Sequence, residues 1–365
     1  MKTEKIGIIG LGLIGGSLAK TIRLRIPDTI IYAIDTDEKT RQAALEEQTV
    51  QYASPEISDD FFACDCIFLC AEIQNNIGLL EKIKNHIRPE TILTDVSSVK
   101  VEVSRMIRHA GLASHFIGGH PMAGSEKSGY ENANAYLFEN AYYLLTPETE
   151  VPEHAVSCFT DFIKKLQVIP LVLSAEYHDY STAAVSHFPH ILAAGLVNMV
   201  KDIDDQDETM KHIAAGGFKD ITRIASSSPE MWRQICLTNK TQIINMLHLF
   251  QNSLRQMETM LTENASEPIY SFFESAKEYR NSMRITSSGS ILRTYHLYCD
   301  LIDAAGGIAT IATILASNNL NIKNIGIIHN REFEDGVLQI EFYDSESLTN
   351  AVALLKKYHY TVYER

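Results

Sequence analysis

Cysteine is scarce in this 365-residue chain, basic residues are outnumbered, and long apolar runs are missing. No uninterrupted stretch approaches the ~18 apolar residues that a membrane span needs, so a membrane partner is not expected. Lys and Arg number 32 against 46 Asp and Glu, a net charge of -14 with no acidic tail or block to account for it. An acidic surface of that kind favours solubility and argues against a nucleic-acid backbone as partner. Six cysteines do not make a disulfide framework. Cys64, Cys66 and Cys70 share parity in CDCIFLCA, which predicts one strand face lined with buried thiols. Their spacing fits no common zinc site, so no metal is expected, and a reducing cytoplasm is the expected compartment. The opening MKTEKIGIIGLGLIGGSLAK has the charge and apolar run of a signal peptide but no cleavage site of small residues.

What is present begins with glycine. An apolar content of 45% supports real cores, and the length predicts two or three domains. KIGIIGLGLIGG reads as a short β-run leading into Gly10-x-Gly12-x-x-Gly15, followed by a helical pattern to Leu24. The first glycine allows a tight turn, the second lets backbone approach a pyrophosphate, and the third lets helix pack on strand. A second β-run ends on Asp35, twenty residues after Gly15, where a carboxylate would bond a ribose 2′-hydroxyl and repel a 2′-phosphate. The expected cofactor is therefore NAD. Further β-runs at CDCIFLCA and TILTDV alternate with a helical pattern from Gln74 to His86, which predicts a Rossmann-type, doubly wound parallel sheet. Its ligand crevice would lie at the carboxyl ends of the strands, where Ala71, Ser97 and Ser98 are expected to face the cofactor together with Gly10, Leu11, Gly12, Leu13, Ile14 and Gly15. The next apolar piece, HFIGG, delivers His120 to the same edge.

GGHPMAGSEKSG sets an ionisable histidine among glycines, with Pro121 fixing its own φ and pushing His120 toward an extended conformation. A loop of this kind is either a surface turn or a device that aims an imidazole at a ligand. Beyond residue 174 the apolar period changes from 2 to about 3.6, which places a domain boundary there. Ile243, Leu247, Phe250, Leu254, Met257 and Leu261 recur at heptad-like steps and need a partner helix, in the core or across a subunit interface. SHFPH carries His187 and His190 on what would be one side of a kinked helix, and GGFKDITRIA sets Asp220 three residues before Arg223.

GLGLIGGSLA, TDVSSVK, GGHPMAGSEKSG, SHFPH and GGFKDITRIASSSPEMW, in this order, resemble the prephenate dehydrogenase family over residues 4 to about 290. The resemblance implies an NAD-dependent oxidoreductase acting on CH-CH donors: oxidative decarboxylation of prephenate to 4-hydroxyphenylpyruvate in L-tyrosine biosynthesis, with a helical domain that forms a homodimer. It also implies roles. His120 would accept the proton of the substrate's ring hydroxyl, a task suited to an imidazole with a pKa near ~6.5, with Ser98 hydrogen-bonded beside it. Arg223, oriented by Asp220, would anchor a substrate carboxylate. His190, Glu126, Lys219 and Trp232 would contact or line the pocket, and His187 would be structural.

Residues 296–365 read strand, helix, strand, strand, helix, strand, a ferredoxin-like βαββαβ order. DAAGGIATIATILASNNLNIKNI resembles an ACT domain, with Ala305 where that module commonly has proline. The resemblance implies an amino-acid site at Asp303, Gly306, Gly307 and Ile308, with L-tyrosine as feedback effector; the alternative is a dimerisation module with no ligand. The expected domains are thus 1–174, 175–290 and 296–365, the last two joined by RITSSGSILR, whose Ser and Gly content reads as a flexible join. Three other readings stay open: arogenate dehydrogenase, a non-catalytic NAD-binding sensor, and a hydroxyacid dehydrogenase using Lys201, Lys211 or Lys219.

Overall fold

A computed structural model of the chain describes residues 4–71, 77–124, 127–282, 295–300, 306–328 and 337–364. It divides into two compact units, Met1–Glu278 and Tyr279–Arg365. The first unit opens with alternating elements: β1 (Lys5–Ile9), α1 (Leu13–Arg25), β2 (Ile30–Ile34), α2 (Glu38–Glu46), β3 (Tyr52–Ser54), α3 (Asp59–Phe62), β4 (Cys66–Leu69), α4 (Ile77–His86), β5 (Ile92–Asp95) and α5 (Val101–Ala110). The five strands pair in parallel in the order β3-β2-β1-β4-β5. Both faces of this sheet are buried, as its apolar strands require. Ile6, Ile8 and Phe68 pack with Leu18 and Ile22 of α1 on one side; Ile9, Ile67 and Leu93 pack with Ile83 of α4 and Ile107 of α5 on the other.

The structure departs from one expectation drawn from the sequence and adds detail to another. Cys66 and Cys70 belong to the first of these cores, but Cys64 lies in the second, because β4 starts only at Cys66 and Cys64 is still turning out of α3, its N–H bonded to the Phe61 carbonyl. HFIGG does not extend the parallel ladder. Its strand, β6 (Ile117–Pro121), meets β5 through a single bridge, Leu93 to Phe116. It belongs instead to a mixed sheet with β7 (Tyr142–Pro147) and β8 (Ile169–Val172), the last two joined through α6 (Glu153–Lys165).

The boundary expected near residue 174 falls between β8 and α7 (Ala175–Thr182), inside the first unit. Ser174 caps α7 by accepting the Tyr177 N–H. One π-turn, Ala183–His187, carries α7 directly into α8 (Phe188–Ile203), and Pro189, which has no N–H to give to the helical ladder, follows that turn inside the continuous helix. Then come α9 (Thr209–Ile213), α10 (Gly216–Thr222), a 3₁₀ turn over Arg223–Ser226, α11 (Pro229–Thr238), α12 (Lys240–Thr262) and α13 (Ser266–Ser282). The heptad-like stripe of α12 changes surroundings along its length. Ile243 is 4% exposed, whereas Leu254 and Leu261 are 54% and 60% exposed. The continuous helix Ala175–Ile203 is also long and apolar enough to cross a membrane by length and composition, and little of it is buried within the chain.

The second unit has β9 (Tyr295–Asp300), α14 (Gly307–Ser317), β10 (Ile322–Ile328), β11 (Val337–Phe342), α15 (Ser345–Lys357) and β12 (Val362–Glu364). Its antiparallel sheet runs β10-β11-β9-β12, the ferredoxin-like order, over a core that includes Leu297, Ile311, Leu338, Phe342 and Leu355.

Candidate active site

The cofactor end is built by the first three turns of the parallel sheet. Gly10 leaves β1 at φ +92, a region that favours glycine, and its N–H bonds the Ile34 carbonyl at 2.7 Å. Asp35, just past β2, accepts the Leu11 N–H at 2.7 Å and the Asp37 N–H at 2.9 Å, so its carboxylate stands beside the glycine-rich turn. Arg41 holds this corner by donating to the Asp35 and Thr36 carbonyls. The N-terminus of α1 has no side-chain cap and no acidic residue in its first turn, and a Cβ built on Gly12 would meet nothing within 4 Å. Uncapped N–H groups beside open space are what an anionic pyrophosphate requires. Ala71 sits against Gly10, while Leu13 and Ile14 are half-buried. The Leu11 side chain is fully buried, so only its backbone faces this turn.

Beyond β5 the chain buries a full ion pair. Lys100 and Asp95 are both 0% exposed, with Nζ at 2.6 and 2.5 Å from the two carboxylate oxygens. The pair grips Gly119 from both sides: Asp95 Oδ1 accepts its N–H at 3.0 Å, and Lys100 Nζ donates to its carbonyl at 2.7 Å. Where ladder bonds between β5 and β6 are missing, these charges join the two strands one residue before His120. A side chain at 119 would collide with the Asp95 carbonyl at 2.6 Å and the Tyr143 hydroxyl at 2.9 Å. Ser97 is drawn into the same cluster. Its hydroxyl bonds Asp95 and Lys100, because a buried carboxylate needs every donor within reach.

His120 is half-buried at the end of β6, with Nδ1 2.9 Å from Nε2 of His178. The other His178 nitrogen lies 2.8 Å from Asp179 Oδ1, and the Asp179 carboxylate accepts the N–H groups of Lys100 at 2.7 Å and Val101 at 2.9 Å, at the N-terminus of α5. Burial pushes His120 well below the ordinary histidine value, and the neighbouring His178, Lys100 and His187 act in the same direction. The expected hydrogen bond from Ser98 to His120 is not formed among the described residues; His178 holds the Nδ1 side of the ring.

Asn239 extends the network. Its amide donates to the Asp179 carbonyl at 2.8 Å and lies 3.1 Å from His187 Nδ1. His187 is buried, and burial takes its imidazole down to about 4. Its ring meets the edge of Trp232, which His190 stacks on at 4.0 Å, so the π-turn and Pro189 bring both histidines to one indole. His190 Nδ1 is committed to the Ser186 carbonyl at 2.9 Å. The buried ring nitrogens His187 Nε2 and Trp232 Nε1 have no protein partner among the described residues. The turn carrying Arg223 packs against α8, and Lys219, Asp220 and Arg223 are all exposed. Asp220 makes no ion pair with Arg223, contrary to expectation. α10 ends at Thr222, and Arg223 opens a separate 3₁₀ turn. Glu126 lies outside the described residues.

Residues 18–169 match the family described as prephenate dehydrogenase, nucleotide-binding domain, and residues 174–288 match prephenate dehydrogenase, dimerization domain. The chain belongs to the prephenate dehydrogenase family. It is 35% identical over 350 residues to a prephenate dehydrogenase of Bacillus subtilis, covering 95% of this chain and 94% of that one. Its structure is similar to that of the Aquifex aeolicus prephenate dehydrogenase in complex with hydroxyphenyl propionate and NAD+, with TM-score 0.72, 28% identity, and 78% and 99% of the two chains covered. It is also similar to Synechocystis arogenate dehydrogenase, with TM-score 0.69, 30% identity, and 76% and 99% covered.

Within this family frame, Asp95, Lys100, His178, Asp179 and Asn239 are residues that the sequence alone did not single out. An Asp and a Lys five apart around Ser-Ser, and the tandem His178-Asp179, were the only traces in the sequence. Of the alternative lysines, Lys201 is exposed and Lys211 is paired with Glu208 at 2.7 Å. Among the described residues, no group of three or more potential ligands could hold a metal ion.

Proposed function

We propose that this chain is a prephenate dehydrogenase that oxidatively decarboxylates prephenate with NAD to 4-hydroxyphenylpyruvate, carbon dioxide and NADH. The observation that carries the reading is His120: a half-buried imidazole kept neutral by burial, one nitrogen committed to His178 and the other unclaimed by any described residue. NAD supplies a hydride acceptor for C4 of the substrate. The uncapped start of α1 and the open side of Gly12 suit its pyrophosphate, and Asp35 suits the ribose hydroxyls. His120 takes the proton of the 4-hydroxyl as the carbonyl forms, and loss of the ring carboxylate as carbon dioxide leaves an aromatic ring. Arg223 anchors a substrate carboxylate with a bidentate fork, and Lys219, His190, Trp232 and the undescribed Glu126 line the same pocket. Ser98, on the loop between Asp95 and Lys100, acts beside His120 in this reading.

Residues 1–174 form the cofactor domain in this reading and residues 175–290 the substrate and dimer domain. The exposed apolar residues of α8 and α12, among them Met199, Leu254 and Leu261, are what a second copy would cover. Residues 296–365 act as an ACT module that takes L-tyrosine at Gly306, Gly307 and Ile308; Gly306 stands at φ +91 ahead of α14, and Asp303 lies outside the described residues. A cytoplasmic location goes with the six free thiols. The second reading is the same chemistry on arogenate, favoured by the similarity to the Synechocystis enzyme. NADH formation with each substrate, with and without L-tyrosine, tests all of this. Activity on prephenate suppressed by tyrosine is the expected result; activity on arogenate alone changes the substrate, and none with either overturns the reading.

A further inference from the structure

We propose that His178 and Asp179 are positioning residues that hold His120 as its Nδ1–H tautomer, so that Nε2 is the nitrogen that takes up the substrate proton. The mechanistic half of this rests on the reading of His120 as proton acceptor; the tautomer does not. An Asp carboxylate accepts hydrogen bonds and donates none. Both of its oxygens already accept backbone N–H groups from the first turn of α5, at 2.7 and 2.9 Å, which pins it in place. His178 Nδ1, 2.8 Å from Oδ1, must therefore carry hydrogen. Burial disfavours a second proton on the same ring, so His178 Nε2 presents a lone pair. His120 Nδ1, 2.9 Å from that lone pair, must then donate to it.

One proton for each of these hydrogen bonds satisfies Asp179, His178 and His120 in this direction alone. Moving the His120 proton to the other ring nitrogen would set two lone pairs face to face across 2.9 Å in a buried site. Forfeiting a buried hydrogen bond disfavours that tautomer by about ten- to a hundredfold. Without that bias the base would divide between its tautomers, and any fraction in the Nε2–H form is a fraction of the enzyme idle. The pair thus ties the pose of the base to the packing of α7 on α5, through hydrogen bonds between residues 58 and 79 apart in the chain.

The test uses the full chain with ¹⁵N-labelled histidine and no substrate, with the His120 signals assigned by their loss in His120→Asn. Two-bond nitrogen–proton correlations report which ring nitrogen carries hydrogen. The wild-type protein is expected to show His120 as the Nδ1–H form. His178→Phe, which removes the acceptor, should populate the Nε2–H form and lower kcat by ~10-fold or more while KM stays within about twofold. His178→Gln, whose carbonyl oxygen can replace Nε2 as acceptor, should restore both tautomer and kcat. An Nε2–H form in the wild-type spectrum overturns the proposal even if His178→Phe does not fold, as does a His178→Phe spectrum identical to wild type. The correct tautomer in a protein inactive on prephenate and arogenate would instead sink the functional reading and leave this inference standing.

Discussion

Replacing Lys100 with methionine deletes the positive half of an ion pair that is wholly buried, while keeping the length of the side-chain stem. Asp95 would keep the N–H groups of Ser97 and Gly119, both at 3.0 Å, and the Ser97 hydroxyl, but no countercharge. Breaking a buried pair by removing one partner costs ~3–5 kcal/mol, out of a total stability of ~5–15 kcal/mol. The three remaining donors favour the lower end, about 3 kcal/mol, or a fall in Tm of roughly 6–12 °C for a unit of this size. The single tryptophan, Trp232, lies in the first compact unit, so its fluorescence during urea unfolding reports that unit alone. Adding Asp95→Asn to Lys100→Met removes the orphaned charge and should recover ~1–2 kcal/mol, a coupling that a double-mutant cycle isolates. A Lys100→Met protein within about 1 kcal/mol of wild type, with no coupling to Asp95, would refute the view that this pair joins β5 to β6.

His120→Asn should lower turnover by ~10²-fold or more and leave NAD affinity unchanged; near-normal turnover removes His120 from the chemistry. Arg223→Ala should raise the substrate KM by ~10-fold or more, and an unchanged KM would move the anchor elsewhere. A Cβ at position 12 meets nothing within 4 Å, so Gly12→Val should melt like wild type yet lose NAD binding by ~10-fold or more in a titration; retained binding would mean the pyrophosphate lies elsewhere. His187 titrates at about 4 in the folded protein against 6.5 for the free side chain, so below pH 6.5 the unfolded chain takes up its proton first. Its contribution is whole above pH 6.5 and is lost as pH falls toward 4, by about 3 kcal/mol, and His187→Gln should flatten that slope in denaturant titrations.

The stretch from Gly10 to Asp35 is legible in the chain because its causes are local. A turn at positive φ, a helix start without a cap and a carboxylate at a strand end are each specified by a few neighbouring residues, and the structure brings them together as their order implies. The alternation of β-runs and helical patterns likewise announces the parallel sheet. Ser97 and Ser98 show where that kind of reading stops. Their place on the loop follows from the order of the elements, but the direction of the Ser97 hydroxyl follows from the buried Asp95–Lys100 pair, and the partner found on His120 is His178 from another helix. Asp220 and Arg223 are three apart in the chain, yet Asp220 lies in α10 and Arg223 opens the 3₁₀ turn after it. The identity of a candidate base can be read from a histidine and a proline among glycines. Which nitrogen of that base is free depends on the His178-Asp179 pair and the first turn of α5, which lie far apart in the chain from each other and meet only when α7 packs on α5 and burial makes an unpaired polar atom costly.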